Sequence, residues 1–157
     1  MSKKCNYYEN DYNQIVPNLW LGNCKSACNN NFIKKNNIKH IICIMPKQMQ
    51  HFNHIKYINI PIKDNNTCDI NLQYFFDNIT DYIKNCIINN EAVLVHCKRG
   101  HHRSATVIAA FLIKYLKIDY ITAIYYINYL RPCALRRETC MGNELYKFYL
   151  RNNNYVF

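Results

Sequence analysis

Hydrophobic residues along the chain come in two patterns: short unbroken runs, and stretches recurring every three or four positions. Residues 38–45 and 92–96 are nearly continuous apolar runs, the pattern of strands buried on both faces of a sheet. Residues 57–62 read as a further strand. Residues 15–22, punctuated by Pro17 and Gly22, read as a strand and a turn. Leu72, Phe75, Phe76, Ile79, Ile83, Cys86 and Ile87 fall on one face of a helix. A helix restarting at Ser104 turns Val107, Ile108, Phe111, Leu112 and Tyr115 inward. Asp119 is placed to cap a helix over 120–130, which Pro132 ends. A short helix opens at 29–31 and runs through Phe32 and Ile33, and a last one covers 141–150 with Leu145, Phe148 and Tyr149. Strands alternating with amphipathic helices predict an α/β fold, a central mostly parallel sheet flanked by helices. Residues 1–13, polar and without period, are expected to form a loose arm, 14–150 one domain, and 151–157 a frayed tail.

Composition narrows the classes. At 157 residues the chain holds one domain and too little for two ordinary ones. Half of it is hydrophobic, which excludes a disordered chain, yet no run of about 18 apolar residues is present to span a membrane. Twenty Lys and Arg oppose ten Asp and Glu, and a net charge of +10 favours anionic partners or serves solubility. Nine cysteines, an odd number, without a secretory signal predict thiols in a reducing, intracellular, cytoplasmic setting and no disulfide framework. Cys24 and Cys28 are spaced like half of a zinc site. No matching pair follows downstream, so neither a metal nor a cofactor is expected. The excess of Asn, Ile, Lys and Tyr suggests an AT-rich genome such as that of a large DNA virus, with the host cell or virion as location.

The chemistry is concentrated in His96-Cys97-Lys98-Arg99-Gly100-His101-His102-Arg103-Ser104, between an apolar strand and a helix. Such a loop aims successive backbone N–H groups inward as an anion nest, and the helix N-terminus adds its partial positive charge. Gly100 permits the tight turn. A thiol at the base of the nest, Cys97, feels that field as a bound anion does and ionises easily, making it a nucleophile near neutral pH. Arg103 carries a planar fork able to hold two phosphate oxygens.

Cys-x5-Arg-Ser preceded by His resembles the signature of the cysteine-dependent protein tyrosine phosphatases. Ile15-Val16-Pro17-Asn18-Leu19-Trp20-Leu21-Gly22, residues 57–64 and Leu130-Arg131-Pro132 resemble segments of the small, atypical dual-specificity phosphatases in the same order and spacing. The resemblance implies their fold and a phosphatase acting on phosphotyrosine and on phosphoserine or phosphothreonine in proteins. In its terms Cys97 attacks phosphorus and Arg103 holds the equatorial oxygens. Ser104, also placed to cap the helix, assists departure of the sulfur, and His96 supports the loop. Asp64 protonates the leaving oxygen and then activates water. Asp69 is the alternative acid, though it is better placed to cap the helix beginning near Asn71.

The chain also departs from the family pattern. His102 stands where a small or polar residue is usual, and with His101 it narrows the pocket mouth or adds a donor. Lys98, Arg99, Arg136 and Arg137 make the surroundings unusually basic, or simply face solvent. The strand Ile41-Ile42-Cys43-Ile44 lacks the Asn commonly found there, a minor loss. Two other readings stay open. One is a phosphatase of RNA 5′-triphosphate ends, phosphoinositides or another non-protein phosphate. The other is a catalytically silent domain that binds phosphorylated partners.

Overall fold

The computed structural model describes residues 9–47, 52–64 and 71–154. In chain order the elements are β1 (Tyr12–Val16), β2 (Leu19–Gly22), α1 (Cys24–Ala27), α2 (Asn30–Lys35), β3 (Ile38–Cys43) and β4 (Lys56–Asn59). They continue with α3 (Leu72–Ile88), β5 (Ala92–His96), α4 (Arg103–Tyr115), α5 (Tyr120–Leu130) and α6 (Cys140–Asn152). The five strands lie in the order β1-β2-β5-β3-β4. β2, β5, β3 and β4 are mutually parallel, and only β1 runs antiparallel, paired with β2. The sheet is therefore α/β and mostly parallel.

β5 is apolar throughout because both of its faces are covered. Val93 and Val95 face the larger core with α3, α4, α5 and α6, while Ala92 and Leu94 face a smaller one with Phe32, Ile33 and Ile55. α4 is buried from Arg103 through Ile113, so it is the central helix rather than an amphipathic cover. A parallel sheet opens its binding crevice at the carboxyl ends of its strands. β5 ends at His96, and the loop that follows lies in that crevice between Gly22 and Cys43, the ends of its two neighbours.

Several boundaries differ from expectation. Residues 15–22 form part of β1 and all of β2, joined through Asn18 in a left-handed conformation (φ +65°). Residues 9–13 are not loose: β1 begins at Tyr12, and Glu9, Asn10 and Asn13 are bonded to the body of the domain. Their anchors are polar, so hydrophobic periodicity does not register them. Residues 1–8 lie outside the described set, as does Asp69. Asn71 caps α3, its side chain accepting the Tyr74 N–H at 3.2 Å. Helix α6 continues to Asn152, and residues 155–157 are outside the described set. Cys133 and Cys140 are joined as a disulfide, against the expectation of thiols alone. No helix among the described residues is long and apolar enough to cross a membrane.

Asn71 supplies the side-chain cap of the longest helix. Asn71→Ala is expected to lower stability by about 1 kcal/mol in urea unfolding, without altering the site's chemistry.

Candidate active site

The loop 97–102 takes its shape from contacts on its outer side. Arg131, 1% exposed, reaches it from the end of α5. Its Nε donates to the Gly100 carbonyl at 2.8 Å and its Nη2 to the Arg99 carbonyl at 2.8 Å. Its Nη1 donates to the Asn10 carbonyl at 2.7 Å and to Asn13 Oδ1 at 2.9 Å. Carbonyls drawn outward leave the intervening N–H groups free to point inward. Gly100 has φ +69°, and a Cβ there would stand 2.5 Å from the Gly22 carbonyl oxygen. No other residue fits without moving β2.

Cys97 sits at the base of this loop, 3% exposed. Burial alone pushes its thiol up. The Ser104 hydroxyl, 3.2 Å from Sγ, outweighs that together with backbone hydrogen bonding from Ser104 and Gly100 and the charge of Arg103. The net shift is downward. Ser104 thus lies inside α4 with its hydroxyl on the sulfur. The cap position belongs to His102, which makes no side-chain cap bond. The first N–H groups of α4 are accordingly open to an anion.

Arg103 is buried, and its Nη1 donates to the Ile62 carbonyl at 3.0 Å. Its Nε is buried without a hydrogen-bond partner among the described residues. An orphaned guanidinium N–H beside a depressed thiol marks a place made for an anion. His96 is buried with Nδ1 3.4 Å from the Cys97 carbonyl, and burial drives its pKa down to about 4. His102 is lowered to about 4 as well, first by burial and then by Arg137. Both imidazoles are therefore neutral at physiological pH. The pair does not act together. His101 turns away, its Nε2 2.5 Å from Glu9 Oε2, while His102 Nδ1 is buried without a partner among the described residues.

Asp64 is exposed at the rim, where its Oδ1 accepts from Arg137 Nη2 at 2.7 Å. No hydrogen bond joins it to Cys97 or Arg103 among the described residues. Its charge is felt at His102, which places it on the same side of the loop. Lys98, Arg99 and Arg136 are exposed. The structure thus brings Cys97, Gly100, Arg103 and Ser104 together, and sets Asp64 apart, held by the Arg137 guanidinium. Sequence reasoning left the parts played by Arg131, Glu9 and Arg137 unassigned. Arg131 carried only a motif resemblance, and Glu9 no signal at all.

The family model for the dual specificity phosphatase catalytic domain matches residues 19–151. The chain belongs to the dual-specificity phosphatase family. Dual specificity protein phosphatase 22 of Xenopus tropicalis is 33% identical over 125 residues, covering 80% of this chain and 59% of the relative. Dual specificity protein phosphatase 22-B of Danio rerio is 30% identical over 139 residues, 88% of this chain and 74% of that protein. The structure of human DUSP28 superposes with a TM-score of 0.85 over 93% of this chain and 97% of that one, at 18% identity, a likeness of fold. The chain spans 59% of the length of the Xenopus relative.

The buried His96 gives this dual-specificity phosphatase domain a defined acid response. The fold keeps the imidazole neutral, whereas the unfolded chain takes up the proton below its ordinary value of 6.5. Stability therefore falls as pH drops from 6.5 and levels off below about 4. His96 is expected to account for a loss on the order of 2 kcal/mol between about pH 7 and pH 5 in urea unfolding. His96→Asn removes that part of the slope.

Proposed function

We propose that the domain is a cysteine-dependent phosphatase that hydrolyses phosphotyrosine and phosphoserine or phosphothreonine in proteins through a phosphocysteine intermediate. The observation that carries this reading is the depressed Cys97 thiol, 3.2 Å from Ser104 and beside a buried Arg103 with an unpartnered Nε. Family membership supports the same reading.

Bound phosphate takes the inward N–H groups of the loop and the Arg103 fork, including the N–H that otherwise has no partner. Cys97 thiolate attacks phosphorus, the S–P bond forms, and the P–O bond to the leaving group breaks. Asp64 turns from Arg137, takes up a proton from solvent and delivers it to the departing oxygen. Water then attacks the phosphocysteine, Asp64 takes back the proton, and the S–P bond breaks to return thiolate and inorganic phosphate. The Ser104 hydroxyl donates to the leaving sulfur in this second step. The transition state has little covalent character to supply, so positioning and charge carry most of the rate.

Lys98, Arg99, Arg136 and Arg137 surround the loop with positive charge and favour phosphoproteins with acidic neighbours around the phosphoresidue. We place the domain in a reducing intracellular compartment, a reading supported by the free thiols of Cys24, Cys28, Cys43, Cys86 and Cys97, with the Cys133–Cys140 bond standing against it.

Hydrolysis of p-nitrophenyl phosphate near pH 6 tests the reading. Wild type is expected to turn over, and Cys97→Ser to lose turnover while still binding substrate. Folded, reduced wild type that binds but never turns over would identify a silent phosphate-binding domain instead. Arg103→Lys is expected to lose both binding and rate, because Lys lacks the planar fork. Asp64→Asn is expected to slow phosphoserine peptides by about 10²–10⁴-fold and p-nitrophenyl phosphate much less, since nitrophenolate needs little protonation. Equal rates on a phosphoserine peptide would remove Asp64 from its role.

A further inference from the structure

On the outer flank of the catalytic loop a second set of chemistry-bearing side chains meets. Glu9, His101 and Cys133 each bring a ligand atom to within 4.8 Å of the other two. Cys140 joins them through its bond to Cys133. The four come from the segment before β1, the catalytic loop, the turn after α5 and the first residue of α6. Cys133 is buried, 4% exposed, while Glu9 is 14% exposed, His101 16%, and Cys140 half-buried.

We propose that in the reduced protein these residues form a zinc site, with His101 Nε2, a Glu9 carboxylate oxygen and the Cys133 and Cys140 sulfurs as the four donors. Zinc is borderline-soft, has no geometric demand of its own, and accepts this mixture of N, O and S. Donors around a tetrahedral zinc stand roughly 3.3–3.8 Å apart, so Glu9, His101 and Cys133 are already near the required spread, and Cys140 joins as fourth donor once the two sulfurs part on reduction. The ion replaces the proton in the His101–Glu9 contact, now 2.5 Å. A carboxylate and two thiolates outweigh the ion's double charge by one, and Arg131 Nη2, 3.8 Å from Glu9 Oε2, balances the excess. Glu9 Oε1 meanwhile accepts the Cys133 N–H at 3.0 Å, which fixes the carboxylate against its neighbour ligand.

The disulfide and the metal are alternatives at one place. Two equivalents of a small thiol supply two electrons and two protons to the Cys133–Cys140 bond, yielding two Cys thiols and the small thiol's own disulfide. Zinc then binds both sulfurs and displaces both protons. In a reducing compartment a pair of sulfurs held this way is more apt to hold metal than to stay bonded. Either state ties the turn between α5 and α6 to the domain; His101 is already held there by hydrogen bonds, from the Leu135 N–H to its carbonyl at 2.8 Å and between its Nε2 and Glu9, and the metal would add a direct bond to it.

A second group, His40, Cys86 and Glu91, has a comparable spread. It differs in that both His40 nitrogens are engaged, Nδ1 with Tyr82 at 2.6 Å and Nε2 with Glu91 at 2.6 Å. The Cys86 thiol is pushed up to about 11 by burial and then by Glu91. It serves as the internal control.

The test uses the full chain carrying Cys97→Ser, so that no metal is bound by the catalytic sulfur. It is reduced with a phosphine, stripped of metal, and titrated with cobalt and then zinc. One equivalent of cobalt is expected to give thiolate charge-transfer absorption and the visible bands of a tetrahedral ion, abolished by one equivalent of zinc. Bound zinc is expected to raise the melting temperature and to shield two thiols from a disulfide reagent. Cys133→Ser is expected to abolish the cobalt spectrum. Glu9→Gln, a milder change, is expected to weaken binding at least tenfold with the fold intact, and Cys86→Ser to change nothing. Folded, reduced protein that binds no equivalent of metal overturns the proposal. So does binding indifferent to Glu9→Gln and Cys133→Ser, or binding lost with Cys86→Ser.

Discussion

The site depends on one buried guanidinium. Arg131 sits in the interior, where an unpaired charge costs several kcal/mol, and it is held there by donating to four oxygens. Two of these are carbonyls of the catalytic loop, and two belong to the segment around β1. The same contacts that satisfy the arginine decide which way the loop's peptide units face. With the carbonyls of Arg99 and Gly100 committed outward, the nest below them presents N–H groups to Cys97. The catalytic geometry is thus a consequence of where a structural cation finds its acceptors.

The charges around the loop follow from that arrangement. A buried thiol is ordinarily harder to ionise, and the shift at Cys97 runs the other way because Ser104, Gly100 and Arg103 all favour the thiolate. Burial, aided by neighbouring arginines, drives the imidazoles of His96 and His102 down, and both stay neutral. Protonated histidines would raise the positive potential further, but burial makes that costly. Positive charge is therefore carried by arginine and lysine side chains rather than by the histidines.

How much of this could be read from the sequence depended on distance along the chain. The strand, loop and helix that carry Cys97, Arg103 and Ser104 are contiguous, and both the apolar run before them and the helical period after them were legible. β5 showed as an unbroken apolar run because its alternate residues enter two different cores. Asp64 was reached through resemblance, and its ion pair with Arg137 joins residues 73 positions apart. Arg131 meets the catalytic loop from 31 positions away and Asn10 from 121, and no local pattern encodes either contact. Residues 9–13 were misread for the same reason. A polar segment without period looks loose when its only anchors are hydrogen bonds to a distant arginine. Cys133 and Cys140 are close in sequence, but an odd total of nine cysteines without a secretory signal argues against pairing.

The central claim is that Arg131 sets the loop that makes Cys97 acidic. The rate of Cys97 alkylation by iodoacetamide as a function of pH, compared between wild type and Arg131→Met, tests it most directly. A thiol that titrates below the ordinary range in wild type and moves up toward it in a folded Arg131→Met variant is the predicted result. An unchanged titration in that folded variant would contradict the account.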